Sequence, residues 1–207
     1  NEMAKHARVV VPEVPYHVTA RANGGNFIFT NDEDREIYAK YYIENAKKNG
    51  LKTYAWCIMG NHVHFVVEPQ AKDSMAKTFK VCQQRYSHHL NKKNNRFGHN
   101  WQNRFYSTPM DLKHLYEGIR YVELNPVRAK ISSDIKSYPW SSAKGRFDGK
   151  QAIQIDSVEP YLHIHNWLEY LNDLTDTRVV QTIKNNTETG LPSGDLLFTR
   201  NMIKLKR

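Results

Sequence analysis

The sequence predicts an α+β fold of the ferredoxin-like type, with an antiparallel β-sheet and helices packed on one face. Three observations lead to this class. The chain of 207 residues is long enough for one large core. Its 40% hydrophobic and 12% aromatic residues are typical of a globular protein. The predicted elements follow one another in the order β-α-β-β-α-β-α, which is the plan of that fold.

The first elements are a strand, a helix and a hairpin. The stretch Val14–Ala22 ("VPYHVTARA") alternates with the period of a strand. A helix is expected from about Asp32 to Lys48, because Thr30 or Asn31 can cap it and acidic residues occupy its first turn. The segments "LKTYAWCIM" and "HVHFVVEP" predict two strands joined by Gly60-Asn61, a connection expected to be a type II′ turn.

The remaining core elements are two helices and a short strand. The segment "SMAKTFKVCQQRYSHHLNKK" predicts a helix, with a short strand at about Phe105–Met110 and a last core helix over Leu112–Asn125 that stops at Pro126. We divide the chain into a domain of residues 1–150 and a helical extension of residues 151–207 that ends in a basic tail. The apolar positions of the first of these helices are Met75, Phe79, Cys82, Tyr86 and Leu90.

The net charge of the chain indicates which class of partner it is suited to bind. Thirty Lys and Arg against 21 Asp and Glu give a net charge of +9, which favours a polyanion, nucleic acid before anionic membrane. No apolar run approaches the roughly 20 residues of a membrane span, and the first residues lack a signal-peptide pattern. We therefore predict a soluble, cytoplasmic protein without a membrane partner. Cys57 and Cys82 have no CxxC spacing and are expected to be reduced packing residues.

Two histidines stand one residue apart in the second strand of the hairpin. His62 and His64 should point to the same side of the sheet, where two neutral imidazoles can share a cation. The alternative is a surface-exposed or hydrogen-bonded pair, and a metal site needs a third ligand from elsewhere. His17, on the first strand, is interpreted as a buried, hydrogen-bonded histidine.

The last core helix carries a second candidate pair. Tyr121 and Asn125 lie four residues apart, roughly opposite the apolar side of the helix. An amide can ligate a metal, but an ordinary amphipathic helix that ends with Asn before Pro126 explains the same pattern. The helix by itself favours this simpler explanation.

Five sequence blocks in order resemble the single-tyrosine transposases of the HUH class, and most closely the branch associated with repetitive extragenic palindromes (REP). The resemblance covers residues from about 12 to 147. The blocks are "YHVTARAN" (Tyr16–Asn23), "AWCIMGNHVHFVVE" (Ala55–Glu68), "GHNWQNRF" (Gly98–Phe105), "IRYVELNPVRA" (Ile119–Ala129) and "YPWSS" (Tyr138–Ser142).

The resemblance implies a site and a reaction. His62 and His64 would be metal ligands, Tyr121 the nucleophile, and Asn125 the polar side chain that completes the metal site. The metal would be Mg²⁺ or Mn²⁺. The substrate would be single-stranded DNA that bears a hairpin, cleaved and rejoined through a covalent 5′-phosphotyrosine. Whether one chain or a homodimer assembles the site is left open.

Basic and aromatic residues alternate between Arg85 and Tyr106, a composition suited to single-stranded DNA. Tyr86 and Phe105 are expected in the core, whereas Trp101 and Arg104 are the preferred DNA contacts. The full set of predicted DNA-binding residues is Arg21, Arg85, Lys92, Lys93, Arg96, Trp101 and Arg104.

Two alternatives from other functional classes remain. A ferredoxin-like sheet can bind single-stranded nucleic acid without chemistry. The same histidines could also serve a metal-dependent nuclease that uses water as nucleophile. A covalent protein–DNA adduct distinguishes the transposase from both.

Overall fold

A computed structural model describes residues 10–159, 161–173 and 176–205. These residues form a four-stranded sheet in the order β2-β3-β1-β4, in which every neighbouring pair is antiparallel. This order confirms the predicted ferredoxin-like α+β class. The strands are β1 (Tyr16–Arg21), β2 (Leu51–Ile58), β3 (His62–Pro69) and β4 (Tyr106–Pro109).

The helices follow the predicted order, and the first has the predicted bounds. Its N-cap is Asn31, whose side chain accepts a hydrogen bond from the backbone N–H of Asp34. The helices are α1 (Asp32–Lys48), α2 (Ser74–Lys93), α3 (Leu112–Glu123), α4 (Asn125–Arg128), α5 (Ser142–Asp148), α6 (Trp167–Asn172), α7 (Thr177–Thr189) and α8 (Leu196–Lys204).

Helices cover both faces of the sheet, whereas the prediction placed them on one. Phe65 of β3 stacks on Tyr42 of α1 at 4.2 Å between ring centroids and contacts Phe79 of α2 at 5.5 Å. His64, its neighbour, points to the opposite face, where α3 packs on the sheet. The strands β2 and β3 are buried along almost their whole length, as strands covered on both sides are.

The hairpin between β2 and β3 has the predicted position but a different turn. Gly60 lacks the positive φ that a type II′ turn requires, so that prediction is wrong. The missing side chain makes room for a neighbour, because a Cβ at this position would lie 2.5 Å from the ring of Phe27. The Gly60 carbonyl also accepts hydrogen bonds from the N–H groups of Ile28 and Phe29. The segment before α1 therefore packs closely against the turn that carries the histidine strand.

The last core helix ends two residues earlier than predicted, at Glu123, but the chain does not straighten. A further helical turn, α4, begins at Asn125, and Pro126 lies in its first turn, where proline costs no hydrogen bond.

The segment after residue 150 lies against the sheet. Helix α7 packs on β4, β1 and α3. Beyond it, the Ser193 N–H donates to the Pro109 carbonyl, and the Asp111 N–H donates to the Ser193 carbonyl. The last two residues of the predicted basic tail, 206 and 207, lie outside the described residues, as do residues 1–9. The division at residue 150 stays a prediction.

Two further features can be compared with the sequence. Cys57 and Cys82 are both buried free thiols, which confirms their interpretation as reduced packing residues. Within the described ranges, no helix has the length and apolarity needed to cross a bilayer.

Side chains on the sheet face opposite the histidines should contribute strongly to the free energy of unfolding. Phe65→Ala is expected to lower the free energy of unfolding by about 3–5 kcal/mol, because its fully buried ring packs between α1 and α2. Urea denaturation followed by circular dichroism measures this change. Phe97→Ala is the control, because that ring is 97% exposed and its removal should leave stability unchanged. Equal losses in the two variants would contradict the assignment of the core.

Candidate active site

The two histidines of β3 and a tyrosine of α3 meet on one face of the sheet. The ring centroids of His62 and His64 are 4.9 Å apart, and those of His64 and Tyr121 are 5.6 Å apart. Strand periodicity turns both imidazoles to this face, and α3 lies across it. All three side chains come from one chain, so a single copy brings the histidine pair and the tyrosine together.

The environment keeps both histidines neutral. Burial, followed by the charge of Arg21, lowers the pKa of His62 to about 4. Burial also holds the pKa of His64 well below its ordinary value, and the neighbouring histidines and Arg21 add to the effect. A metal ligand must be a neutral imidazole with a free lone pair, so this environment is suited to metal binding.

The turn residue Asn61 orients the first histidine. Its amide nitrogen donates to the Gly25 carbonyl at 3.2 Å, which leaves Oδ1 as the acceptor for His62 Nδ1 at 2.6 Å. His62 therefore carries its proton on Nδ1, and its Nε2 has a lone pair available for a cation.

Tyr121 lies in a mixed environment. Burial raises the pKa of its hydroxyl, while Arg128 and Arg21 act in the opposite direction and favour the phenolate. The Arg128 guanidinium carbon lies 5.2 Å from the centroid of the Tyr121 ring. Sequence reasoning missed Arg128 as a site residue, although it lies in the "NPVRA" block, seven residues and two helical turns after the tyrosine.

Asn125 lies next to Tyr121, as the four-residue spacing predicts. Its amide nitrogen donates to the Tyr121 carbonyl at 3.1 Å, and the side chain also favours the phenolate of that tyrosine. The amide oxygen is the atom of this side chain that a hard cation would use. Its role as a ligand stays a prediction.

The donor set fits a divalent cation that accepts both nitrogen and oxygen. Within the described ranges, no three His, Cys, Asp or Glu side chains converge as a cation site. Two imidazole nitrogens, joined by the Asn125 oxygen as the predicted third ligand, would leave positions to be filled by oxygen atoms of substrate and water. Such oxygen-rich completion is what Mg²⁺ and Mn²⁺ prefer.

A groove of about 980 Å³ runs between α2 and the segment 98–105. Arg104, from the predicted DNA-binding set, lines this groove. Lys72 and Lys80 line it as well, although the sequence analysis did not select them as DNA contacts. Backbone bonds join this segment to the end of β1, since the Gln102 N–H donates to the Arg21 carbonyl. The groove is therefore attached to the strand end that faces His62.

Trp101, predicted as a DNA contact, lies mostly in the core, and its contact with DNA stays a prediction. The side chain is 8% exposed and packs against Phe29, Tyr38 and Tyr86, and its indole N–H donates to the Gln83 carbonyl. Only an edge of the ring reaches the groove. Phe97, in the same segment of the sequence, is the ring that is free to stack on a base.

The other predicted DNA-binding residues are scattered. Arg85 pairs with Glu44 at 2.8 Å, away from the groove, and Lys93 pairs with Asp34 at 2.6 Å, so their charges are compensated. Lys92 is exposed at the end of α2. Arg21 faces the histidines and forms an ion pair of 3.2 Å with Glu188 of α7. Arg96 donates to the Asn100 side chain at 2.7 Å beside the groove.

The fold and site thus combine a ferredoxin-like sheet with two strand histidines that face a tyrosine carried by a helix. The chain belongs to the IS200-like transposase family, whose model matches residues 10–125. A REP-associated tyrosine transposase of Haemophilus influenzae is 25% identical over 140 residues, which cover 58% of this chain and 80% of that protein. A solved REP-associated tyrosine transposase, bound to a REP hairpin, superposes with a TM-score of 0.59 at 16% identity, over 79% of this chain and 100% of the other.

Proposed function

We propose that this transposase cleaves and rejoins hairpin-bearing single-stranded DNA through a covalent 5′-phosphotyrosine at Tyr121, with Mg²⁺ or Mn²⁺ as cofactor. The observation that carries the proposal is the approach of the Tyr121 ring to the His64 ring, 5.6 Å between centroids within one chain. A site of this kind needs no second copy for its histidines and tyrosine.

In the proposed reaction the Tyr121 oxygen attacks the phosphorus of a phosphodiester. The bond between the tyrosine oxygen and phosphorus forms, and the bond from phosphorus to the 3′-oxygen breaks. The phenolic proton passes to water, and the departing 3′-oxygen takes up a proton from water to become a hydroxyl. The nearby Arg128 and Arg21 charges favour the phenolate. Attack by another 3′-hydroxyl reverses the step and joins two strands without an external energy source.

The cation would be held by Nε2 of His62 and of His64, with the Asn125 oxygen as the third donor. When bound, such a cation neutralises charge on a non-bridging phosphate oxygen. The protein supplies neutral imidazoles for it, because burial keeps both histidines unprotonated.

The solved relative and the groove support the proposed substrate class. The solved relative holds a REP hairpin, and the present chain offers a cationic groove that is joined to the strand end beside His62. We assign the groove to the DNA backbone, with Phe97 available for an unpaired base.

The adduct assay tests the proposal. The protein is incubated with Mn²⁺ and end-labelled hairpin oligonucleotides, with and without 5′ and 3′ flanks, and is separated on a denaturing gel. We expect a band shifted by the mass of the protein that survives SDS and disappears after proteolysis. Cleavage without this band would instead show a nuclease that uses water. Binding with neither product would show a binding module.

The assignment of the groove to the DNA backbone leads to a separate prediction. Lys80→Ala and Arg104→Ala should each weaken DNA binding and reduce the slope of log K against log salt by about 0.7–0.9 for each phosphate contact removed. Fluorescence anisotropy at several salt concentrations measures both quantities. Arg85→Ala is the matched control, because Glu44 already compensates its charge outside the groove. If Arg85→Ala reduced the slope as much as Arg104→Ala, the groove would not be the binding surface.

A further inference from the structure

A third histidine lies behind the pair. His17 of β1 is 1% exposed and stacks on His64, with ring centroids 5.2 Å apart and planes at 16°. Its Nε2 lies 3.0 Å from His64 Nδ1, and its Nδ1 lies 2.7 Å from the Thr187 hydroxyl of α7. Both ring nitrogens of His17 are therefore engaged by protein groups.

The direction of this hydrogen-bond chain is fixed at its far end. The Thr187 hydroxyl donates its single proton to the Ile183 carbonyl, one turn earlier in α7, at 2.6 Å. The oxygen can then only accept from His17, so the proton of the neutral His17 ring is on Nδ1. The His17 Nε2 atom is consequently an acceptor, and the proton between the two rings belongs to His64 Nδ1.

This assignment decides whether Nε2 of His64, the proposed ligand atom, can bind a cation. With its proton on Nδ1, the neutral His64 ring has a bare lone pair on Nε2. The opposite tautomer would place a proton there and block coordination. Asn61 does the same for His62, so both rings of the pair are set in the ligating tautomer by a neighbouring acceptor.

We propose that Thr187 and His17 are positioning residues that fix the tautomer and the ring orientation of His64 for a divalent cation. The inference rests on the proposed function in one respect, that His64 is a ligand. The proposal assigns a role at the site to the C-terminal segment. Thr187 belongs to that segment and lies outside residues 10–125, which the family model matches.

Contacts beyond α7 hold Thr187 in place. The Thr108 hydroxyl of β4 bonds the Leu191 carbonyl at 2.5 Å and the Ser193 hydroxyl at 3.0 Å. Because β4 pairs with β1 from Tyr16 to Thr19, the same strands that anchor α7 also carry His17. The hydroxyl and the imidazole are thus fixed to one rigid sheet.

Metal affinity tests the proposal without DNA or catalysis. Mn²⁺ is titrated into the full chain, and free Mn²⁺ is measured by electron paramagnetic resonance. We expect Thr187→Val and His17→Phe to weaken Mn²⁺ binding by roughly 10–100-fold, the usual cost of losing a group that orients a ligand. Thr187→Ser restores the hydroxyl and should retain wild-type affinity.

Thr182→Val is the matched control, because that threonine makes the same bond to a carbonyl one turn earlier in α7 but faces away from His17. Its affinity for Mn²⁺ should equal that of the wild type. Wild-type affinity in Thr187→Val would overturn the proposal, and so would an equal loss in Thr182→Val.

The tautomer itself is observable in the metal-free wild-type protein. Long-range ¹H–¹⁵N spectra of the imidazoles should show His17 and His64 both protonated on Nδ1. A proton on His64 Nε2 would overturn the proposal, whatever the variants do. Failure of the tyrosine chemistry would leave these spectra and the Mn²⁺ affinities unchanged, so the two proposals fail separately.

Discussion

Tyr121→Phe is expected to abolish the covalent protein–DNA adduct and to lower strand cleavage by a factor on the order of 10⁴ or more, while DNA affinity stays the same. The substitution removes only the hydroxyl. The ring keeps its edge contacts with His17 and His64, at 5.6 Å from each, so the site should remain folded. The SDS-resistant band on a denaturing gel and anisotropy with labelled hairpin DNA measure the two quantities.

Tyr116→Phe is the control in the same helix. Its hydroxyl accepts a hydrogen bond from Arg120 at 3.0 Å and belongs to a structural cluster away from the histidines. It should retain the adduct. An adduct of normal yield in Tyr121→Phe would show that another residue is the nucleophile. Loss of DNA binding in that variant would show that the phenol serves binding and not chemistry.

The second large effect is expected at the histidine pair. His62→Ala and His64→Ala should each reduce metal-dependent cleavage by at least roughly 100-fold, because losing a ligand exceeds the cost of losing an orienting neighbour. Chelation of the wild-type protein should stop cleavage, and added Mn²⁺ should restore it. In the alanine variants Mn²⁺ should restore little, since the donor atom itself is missing.

His88→Ala provides the comparison, because that histidine is exposed on α2, on the other side of the sheet. It should cleave DNA as the wild type does, and all the variants should unfold at similar temperatures. Cleavage by His64→Ala at the wild-type rate, with the same metal requirement, would contradict the metal site. Thermal unfolding of His64→Ala well below that of His62→Ala would assign His64 a structural role as well.

Local patterns in the sequence were sufficient to predict the helices and strands of the core. The bounds of α1 were predicted from its cap and acidic first turn, and the buried face of α2 followed from helical spacing. The pairing of His62 with His64 on one face followed from strand periodicity, and Tyr121 and Asn125 were grouped by helical spacing. Each of these predictions concerns residues that are close in sequence, where the geometry of a helix or strand fixes which side chains are neighbours.

Local patterns did not predict relations between distant segments, and the approach of Tyr121 to the histidine pair was expected only from the family resemblance. Trp101 was expected to contact DNA but packs against rings of α1 and α2, and helices cover both faces of the sheet where the prediction placed them on one. Local spacing cannot say which of several amphipathic surfaces will cover a given ring, because burial is decided by the packing of whole elements.

The sequence by itself determined the order of the elements, the class of the fold and the shared sheet face of the two histidines. These properties follow from strand and helix periodicity and from helix capping. Only the tertiary structure decided which groups surround that pair. Arg128 reaches the tyrosine through the extra turn of α4, and Thr187 reaches His17 across 170 positions of sequence. A hydrogen bond between such distant residues depends on the docking of α7 against the sheet, and no local period encodes it.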